Sequence, residues 1–298
     1  LKTFLNYTEI QTKITSVLTF ILTLGVLRFN RLPINWLVTG VFFAGMFLFD
    51  LTTTAINNYI DSKTNGQDIG YSRTQGKAII FGMLAVSIGL GIYLVILSDL
   101  LILLVGMLCF GVGILYTWGP IPISRQPYGE IISGVMYGYF IPFIMIHANA
   151  PGYLVSFAYY NGTLTLGFEI VALIYFVIIF MTPTVLTASI MLANNTCDVE
   201  ADVKVNRFTL PFYIGQKNAI RLLKLLYVSV YSSILVAVLL GVLPCLSLLT
   251  FVTIPRVIKD VNEFTKELKK HISFKYIIDA FIIIMLTFGI SVLIGSFL

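Results

Sequence analysis

Long apolar stretches separated by short polar ones set the pattern of this chain. A helix needs ~20 apolar residues to cross the hydrocarbon core of a bilayer. Stretches of that kind run over about 12–29, 34–57, 78–97, 99–118, 130–148, 166–192, 219–241, 243–258 and 275–297. The pattern predicts an all-α polytopic membrane protein with about nine transmembrane helices. The eighth stretch is the shortest and is parted from the seventh only by Gly241 to Pro244. No internal repeat or low-complexity tract interrupts the series, so residues 1–298 are expected to form one transmembrane domain.

The connections alternate in character. Loops 58–77, 119–130, 193–218 and 259–274 are long and polar, whereas those after spans 1, 3, 5 and 7 are short or nearly uncharged. Of the 19 Lys and Arg, 17 fall on the side of the N-terminal tail and the polar loops, and only Arg28 and Arg31 fall on the other. Cytoplasmic loops carry the excess of Lys and Arg. The N-terminus is therefore expected in the cytoplasm, the C-terminus outside after nine spans, and the protein in the cell membrane.

Composition narrows the class further. Hydrophobic residues make up 58% and charged residues 11% of the 298, and the mean hydropathy is +0.93. An average soluble domain is ~25% charged, so an ordinary soluble enzyme is excluded, as is a disordered chain. Three Cys are too few and too odd in number for a disulfide framework. The net charge is +5 and the pI about 9.0, but the basic residues flank apolar spans, which points to the lipid bilayer as partner and not to nucleic acid. No cleavable signal peptide is expected in the opening residues, which begin at Leu1.

Two span ends carry residues that a scaffold would not need. Span 2 closes with Asp50, Asn57, Asn58, Tyr59 and Asp61, followed by Lys63, Asn65, Gly66 and Asp68. Asn57 and Asp61 lie seven and eleven positions beyond Asp50. At about 100° per residue all three share one helix face. Asn65 would extend the row if Gly66 did not end the helix. Span 6 closes with Asn194, Asn195, Cys197, Asp198, Glu200, Asp202, Lys204, Asn206 and Arg207, in which Asn194, Asp198 and Asp202 stack at intervals of four and Glu200 points the other way. One acidic row at a helix end is commonly just solvated. Two rows on the same side supply hard oxygen ligands for Mg²⁺, whose coordination is typically completed by substrate phosphates, with Arg or Lys clamping the remaining oxygens of a diphosphate.

These residues resemble the UbiA superfamily of intramembrane aromatic prenyltransferases. Asn57 and Asp61 match its Asn- and Asp-rich first motif, and Asp198 with Asp202 its Asp-x-x-x-Asp second motif. Within the superfamily the chain is similar to the 1,4-dihydroxy-2-naphthoate polyprenyltransferase branch. The matching residues are Glu9 and Lys13, Asn57-Asn58-Tyr59-x-Asp61, Tyr116-Thr117-x-Gly119-Pro120 with Gly129-Glu130, and Asn194-Asn195-x-x-Asp198-x-x-x-Asp202 continuing to Thr209, Leu210 and Gly215. Asn58 stands where many members have Asp, Asn65 where some have a further Asp, Cys197 where this branch commonly has Arg, and Asn206 where it commonly has Gly. Asp68 is the nearest replacement for the missing acid.

The resemblance implies a helical bundle around a central cavity open to the cytoplasmic side. It implies Mg²⁺ held by Asn57, Asp61, Asp198 and Asp202, and transfer of a polyprenyl group from its diphosphate to dihydroxynaphthoate with decarboxylation. Further substrate-binding candidates are Asp50, Asn58, Tyr59, Arg73, Tyr116, Arg125, Asn194, Asn195, Lys204 and Arg207. An ionisable residue within a span, such as Asp50, is a functional hypothesis by default, though a hydrated place at the cavity mouth would also suit it. The basic residues either bind diphosphate or only orient the helices and meet anionic lipid; Arg125 and Arg207, beside the motifs, favour the first. Tyr59, Tyr116 and Tyr137 either contact substrate or belong to the aromatic belt. The six Lys and Arg of 256–275 are mixed with acids and are expected on a solvated amphipathic segment. His147 and His271 are not expected to act as general bases, and Asp99 and Glu169 are expected at the interface on the outer side. Another aromatic acceptor, such as 4-hydroxybenzoate, homogentisate or a porphyrin-type ring, stays open. A cation transporter is disfavoured, since transporters commonly carry repeats and midplane sites.

Overall fold

The computed structural model describes residues 1–64, 68–120 and 122–298; Asn65 and Gly66 lie outside the described residues, as does the side chain of Lys63. The chain is mostly helical and forms two compact units, each assembled from three separated stretches.

The first unit holds Leu1–Val17, Ile34–Pro122 and Ile144–Phe168. It opens with α1 (Lys2–Thr8), a 3-10 turn (Ile10–Lys13) and the first residues of α2 (Ile14–Phe29). Next come α3 (Trp36–Thr64), α4 (Arg73–Leu97) and α5 (Leu100–Thr117). Ser72 and Gln75 form a reciprocal capping box at the start of α4, and Asp99 caps α5 by accepting from the Leu101 and Ile102 amides. Leu51 and Ala55 of α3, Ile80 and Met83 of α4, and Tyr7 of α1 share one buried cluster, the spacing of three and four that lays one helix along another. Burial pushes the Tyr7 phenol up to about 12, so it stays protonated and donates to the Gly76 carbonyl, 3.4 Å away.

The second unit holds Leu18–Pro33, Ile123–Phe143 and Glu169–Leu298. Its helical rod Gly129–Asn149, completed by residues of the first unit, is α6 (Gly129–Val135), a π turn (Met136–Phe140) and α7 (Ile141–Asn149). Pro142 has no N–H to offer the carbonyl of Gly138 four residues back, and the wider π turn falls at that place. The rod packs on α8 (Ile170–Lys204) through two small residues four apart. A Cβ on Gly138 would collide with Thr184 Oγ1 and its backbone, and one on Gly134 would lie 2.6 Å from the Thr184 carbonyl. Such close backbone approach is how helices associate in lipid, where burial of apolar surface drives nothing. Thereafter come α9 (Leu210–Ile214), α10 (Gln216–Leu239), a 3-10 helix (Cys245–Thr253), α11 (Ile254–Lys266) and α12 (Lys270–Gly295).

Among the described residues eight helices are long and apolar enough to cross a membrane. The stretch 243–258, expected as a further span, is built differently: the 3-10 helix follows Pro244 and runs into α11, which has Pro255 in its first turn. Val257, Val261 and Phe264 of α11 are buried while Arg256 and Lys259 face outward, so the apolar run does not continue past it.

The all-α expectation gains one addition, and span 6 starts at Ile170 and not at 166. Residues Val155–Tyr160 (β1) and Thr163–Phe168 (β2) form an antiparallel hairpin. Asn161 (φ 45°) and Gly162 (φ 79°) make its two-residue turn, which needs positive φ at both positions.

α3 and α8 fix where the acidic rows go. With 29 and 35 residues they are about 44 and 52 Å long at 1.5 Å per residue, well beyond the ~30 Å hydrocarbon core. Their polar C-terminal turns therefore extend past the apolar region.

Candidate active site

In the first unit the row of α3 is helical throughout, so Asp50, Asn57 and Asp61 share the face that the spacing predicts. Their surroundings differ. Asp50 is 6% exposed and Lys13 3%, and Lys13 Nζ lies 3.0 Å from Asp50 Oδ1 while Ser16 Oγ donates to Asp50 Oδ2 at 2.7 Å. Lys13 also donates to Thr54 Oγ1. Asp50 is thus a buried helix-to-helix tie. Two and three turns further on, Asn57 Nδ2 donates to Asp61 Oδ2 (3.3 Å), and Thr117 of α5 donates to Asn57 Oδ1 (3.4 Å).

Asn58 turns away from this row. It is buried and gives both amide protons to the N-terminal segment, to the Tyr7 carbonyl at 3.0 Å and to Glu9 Oε1 at 3.1 Å. The guanidinium of Arg73 lies 4.9 Å above the Tyr59 ring, a cation–π arrangement. Tyr116 is half-buried in the last turns of α5. Asp68 is exposed and accepts from the Gly70 amide at 2.8 Å, holding the loop that leads to α4.

In the second unit each aspartate of α8 faces a protein cation. Lys270, at the start of α12, reaches Asp198 Oδ2 at 2.9 Å, and Arg207 Nε is 3.6 Å from Asp202 Oδ2. Arg207 is itself held. Its Nε donates to the Ser124 carbonyl (2.9 Å) and its Nη2 to Asn195 Oδ1 (3.2 Å). Asn195 Nδ2 in turn donates to Glu130 Oε1 at 2.8 Å. Glu130 is 3% exposed, and its Oε2 has no hydrogen-bond partner among the described residues. Asn194 Nδ2 lies 3.5 Å from Asn195 Oδ1. Arg125 contributes its backbone carbonyl, which accepts from the Phe208 amide at 3.1 Å, and Lys204 is exposed on the last turn of α8.

Three of these residues were not singled out by their own chemistry in the sequence. Lys270 belongs to the stretch expected to be merely solvated, and it is a partner of Asp198 instead. Lys13 and Glu130 entered only through the resemblance. Opposite charges near the starts and ends of consecutive spans, as in Lys13 and Asp50, are the signal that could have paired the first. Lys270 lies 72 positions from Asp198, and no local pattern reports such a contact.

The donor set suits a hard divalent cation. Both rows offer only carboxylate and carboxamide oxygens. Among the described residues no three His, Cys, Asp or Glu side chains gather as a metal-holding group, so waters and ligand phosphates would have to complete the coordination of Mg²⁺.

The long apolar helices make this an integral membrane protein. Residues 17–261 match the UbiA prenyltransferase family, and the chain belongs to that family; it is a prenyltransferase by that membership. A 1,4-dihydroxy-2-naphthoate octaprenyltransferase of Bacillus subtilis (strain 168) is 27% identical over 229 residues, 72% of this chain and 67% of the relative. Among solved structures, a UbiA homolog from Aeropyrum pernix K1 superposes with a TM-score of 0.68 at 15% identity, covering 92% of this chain and 96% of that one. A UbiA homolog from Archaeoglobus fulgidus bound to GPP and Mg²⁺ gives 0.59 at 14% identity, covering 99% and 100%. At these identities the likeness to solved structures is one of fold.

Proposed function

We propose that this protein transfers a polyprenyl group from polyprenyl diphosphate to 1,4-dihydroxy-2-naphthoate, with loss of the carboxylate as CO₂, giving demethylmenaquinone in its hydroquinone form. The observation that carries the acceptor is the 27% identity to the Bacillus subtilis octaprenyltransferase across 72% of the chain. The two rows of oxygen donors support the donor substrate. Asn57, Asp61, Asp198 and Asp202 would hold Mg²⁺, which when bound supplies positive charge against the leaving diphosphate.

The chain's own residues do the rest. Arg207, braced by Asn195 and Ser124 and 3.6 Å from Asp202, is a cation in reach of the second row and suits the remaining phosphate oxygens, whereas Arg73 rests on Tyr59, on the face of α3 opposite Asn57 and Asp61. As the C–O bond to diphosphate breaks, an allylic cation forms. Apolar helix walls keep water from it. The electron-rich ring attacks through the carbon that bears the carboxylate, the C–C bond forms, and CO₂ leaves with restoration of the aromatic ring. An N-terminus in the cytoplasm is the orientation that the 17-to-2 partition of Lys and Arg supports.

Product mass spectrometry tests the reading. Purified protein in lipid receives a polyprenyl diphosphate, Mg²⁺ and a panel of aromatic acids, with EDTA as control. The expected result is a prenylated, decarboxylated naphthoquinol that disappears with EDTA. Product from 4-hydroxybenzoate or homogentisate alone would overturn the acceptor and keep the family reaction.

A further inference from the structure

The β1–β2 hairpin holds none of the residues named above for the transfer reaction, and its residue pattern is unusual for a connection. In the register, Val155 faces Phe168, Phe157 faces Leu166, and Tyr159 faces Leu164. Side chains alternate across a sheet, so these six apolar residues all lie on one face. The alternate register positions are Ser156, Ala158, Tyr160, Thr163, Thr165 and Gly167. On the apolar face Val155 is buried at the base, while its partner Phe168 and the residues nearer the tip are open. Tyr159 is 67% exposed, Leu164 49%, Leu166 47% and Phe168 56%.

A two-stranded hairpin is marginal in water on its own and needs a covered face. What can cover this one follows from its place in the chain. β1 begins six residues after α7 ends, and Ile170 of α8 follows β2 by two residues. Both ends of the hairpin are therefore tied within a few residues of membrane-crossing helices, at the end of the fifth span and the start of the sixth. Residues 131–168 contain no Asp, Glu, Lys or Arg. Both strands are sheet edges with unpaired backbone groups, which cannot be satisfied inside hydrocarbon. The polar headgroup layer satisfies them, and a tyrosine such as Tyr159 is favoured at that level.

We infer that the β1–β2 hairpin is an interfacial lipid-binding element: it lies flat in the headgroup layer, on the membrane face opposite the charged loops, with Tyr159, Leu164, Leu166 and Phe168 turned into the lipid. The occupant of the apolar face is phospholipid.

The unmodified protein in nanodiscs is the material for the test. Photolysis of a phospholipid carrying a diazirine near the glycerol end of its acyl chain, followed by peptide mass spectrometry, should label Tyr159, Leu164, Leu166 and Phe168 and spare Thr163 and Thr165. Tryptophan variants read the same pattern independently. With Trp36 and Trp118 changed to Phe, Tyr159→Trp and Leu166→Trp should lose fluorescence in brominated lipid, while Thr163→Trp and Thr165→Trp should not. Equal labelling of both faces, or none on the apolar face, overturns the inference. Apolar positions that escape the lipid probe but cross-link to a second copy of the chain would overturn it in favour of a dimer contact.

Discussion

Changing Lys13 to Met removes the cation from a buried pair while keeping most of the aliphatic stem. Lys13 and Asp50 are 3% and 6% exposed, with Nζ and Oδ1 3.0 Å apart. Breaking a buried pair from one side leaves the other charge uncompensated and costs about 3–5 kcal/mol. Ser16 remains as a donor to Asp50 at 2.7 Å, but a neutral hydrogen bond offsets only about 1 kcal/mol. At roughly 2–4 °C per kcal/mol for a large domain, the unfolding midpoint of Lys13→Met in nanodiscs should fall on the order of 10 °C. Asp50→Leu should cost a similar amount. The double variant Lys13→Met with Asp50→Leu removes both charges, and such replacements are commonly neutral or stabilising by about 1–4 kcal/mol; it should recover most of the lost midpoint. Intrinsic tryptophan fluorescence during a thermal ramp reads all four proteins. A Lys13→Met midpoint within about 2 °C of the parent, or a double variant as unstable as the sum of the singles, would refute the reasoning. Binding of a prenyl diphosphate by the double variant adds a second readout. Retention means the pair acts by fixing α3 against the N-terminal segment; loss in a folded double variant means that charge at Asp50 itself serves the site.

Asn58→Asp should destabilise the protein by about 2–4 kcal/mol, because the carboxylate gives up two donated bonds and faces the Tyr7 carbonyl and Glu9; adding Glu9→Gln should return part of the midpoint. Lys270→Met should tighten Mn²⁺ binding, read by the loss of free-ion EPR signal, by up to about fivefold, since a partly exposed ion pair is worth at most ~1 kcal/mol. Asp198→Asn should abolish that gain, and unchanged Mn²⁺ affinity in Lys270→Met would refute competition between the lysine and the metal. Gly138→Ala should cost about 1–3 kcal/mol or more by overpacking, and Thr184→Ala should not rescue it in a thermal ramp, because the added carbon meets the Thr184 backbone as well as its side chain.

Much of this architecture is readable from hydropathy because lipid leaves few alternatives. A run of ~20 apolar residues must be helical to satisfy its own backbone. The two rows were legible for the same reason: Asp50, Asn57 and Asp61, and likewise Asp198 and Asp202, sit on single helices where spacing alone sets the face. What stayed hidden depends on contacts between elements. Lys270 reaches Asp198 from another helix, and Glu130 reaches Asn195 over 65 positions. The hairpin had a local signal in Asn161-Gly162 between alternating residues, but it borders the apolar run of α8, and its own apolar content merged with that span. The 3-10 helix at Cys245–Thr253 is apolar enough to read as α, and only Pro244 and Pro255 hint otherwise.

The departures from the family pattern acquire physical reasons once their neighbours are known. Asn206 has φ 56°, in the left-handed region where Gly is easiest and Asn the next most tolerant, so Asn keeps the turn that ends α8. That turn aims the Arg207 amide at the Asp202 carbonyl (2.9 Å) and its guanidinium towards Asn195. Asn58 keeps a hydrogen-bonding role but serves the N-terminal segment, where an Asp would meet Glu9 as a like charge. Cys197 removes the cation that the naphthoate branch commonly has one residue before Asp198. The sulfur is half-buried beside Ser273, and the cation next to Asp198 is Lys270 from α12 instead. Charge at the second row is thus preserved from a different helix, and it is preserved by a lysine on a flexible stem. An arginine on α8 would move only with its own row. A lysine on α12 can leave Asp198 when a divalent cation arrives, which is why its removal should strengthen metal binding and not weaken it.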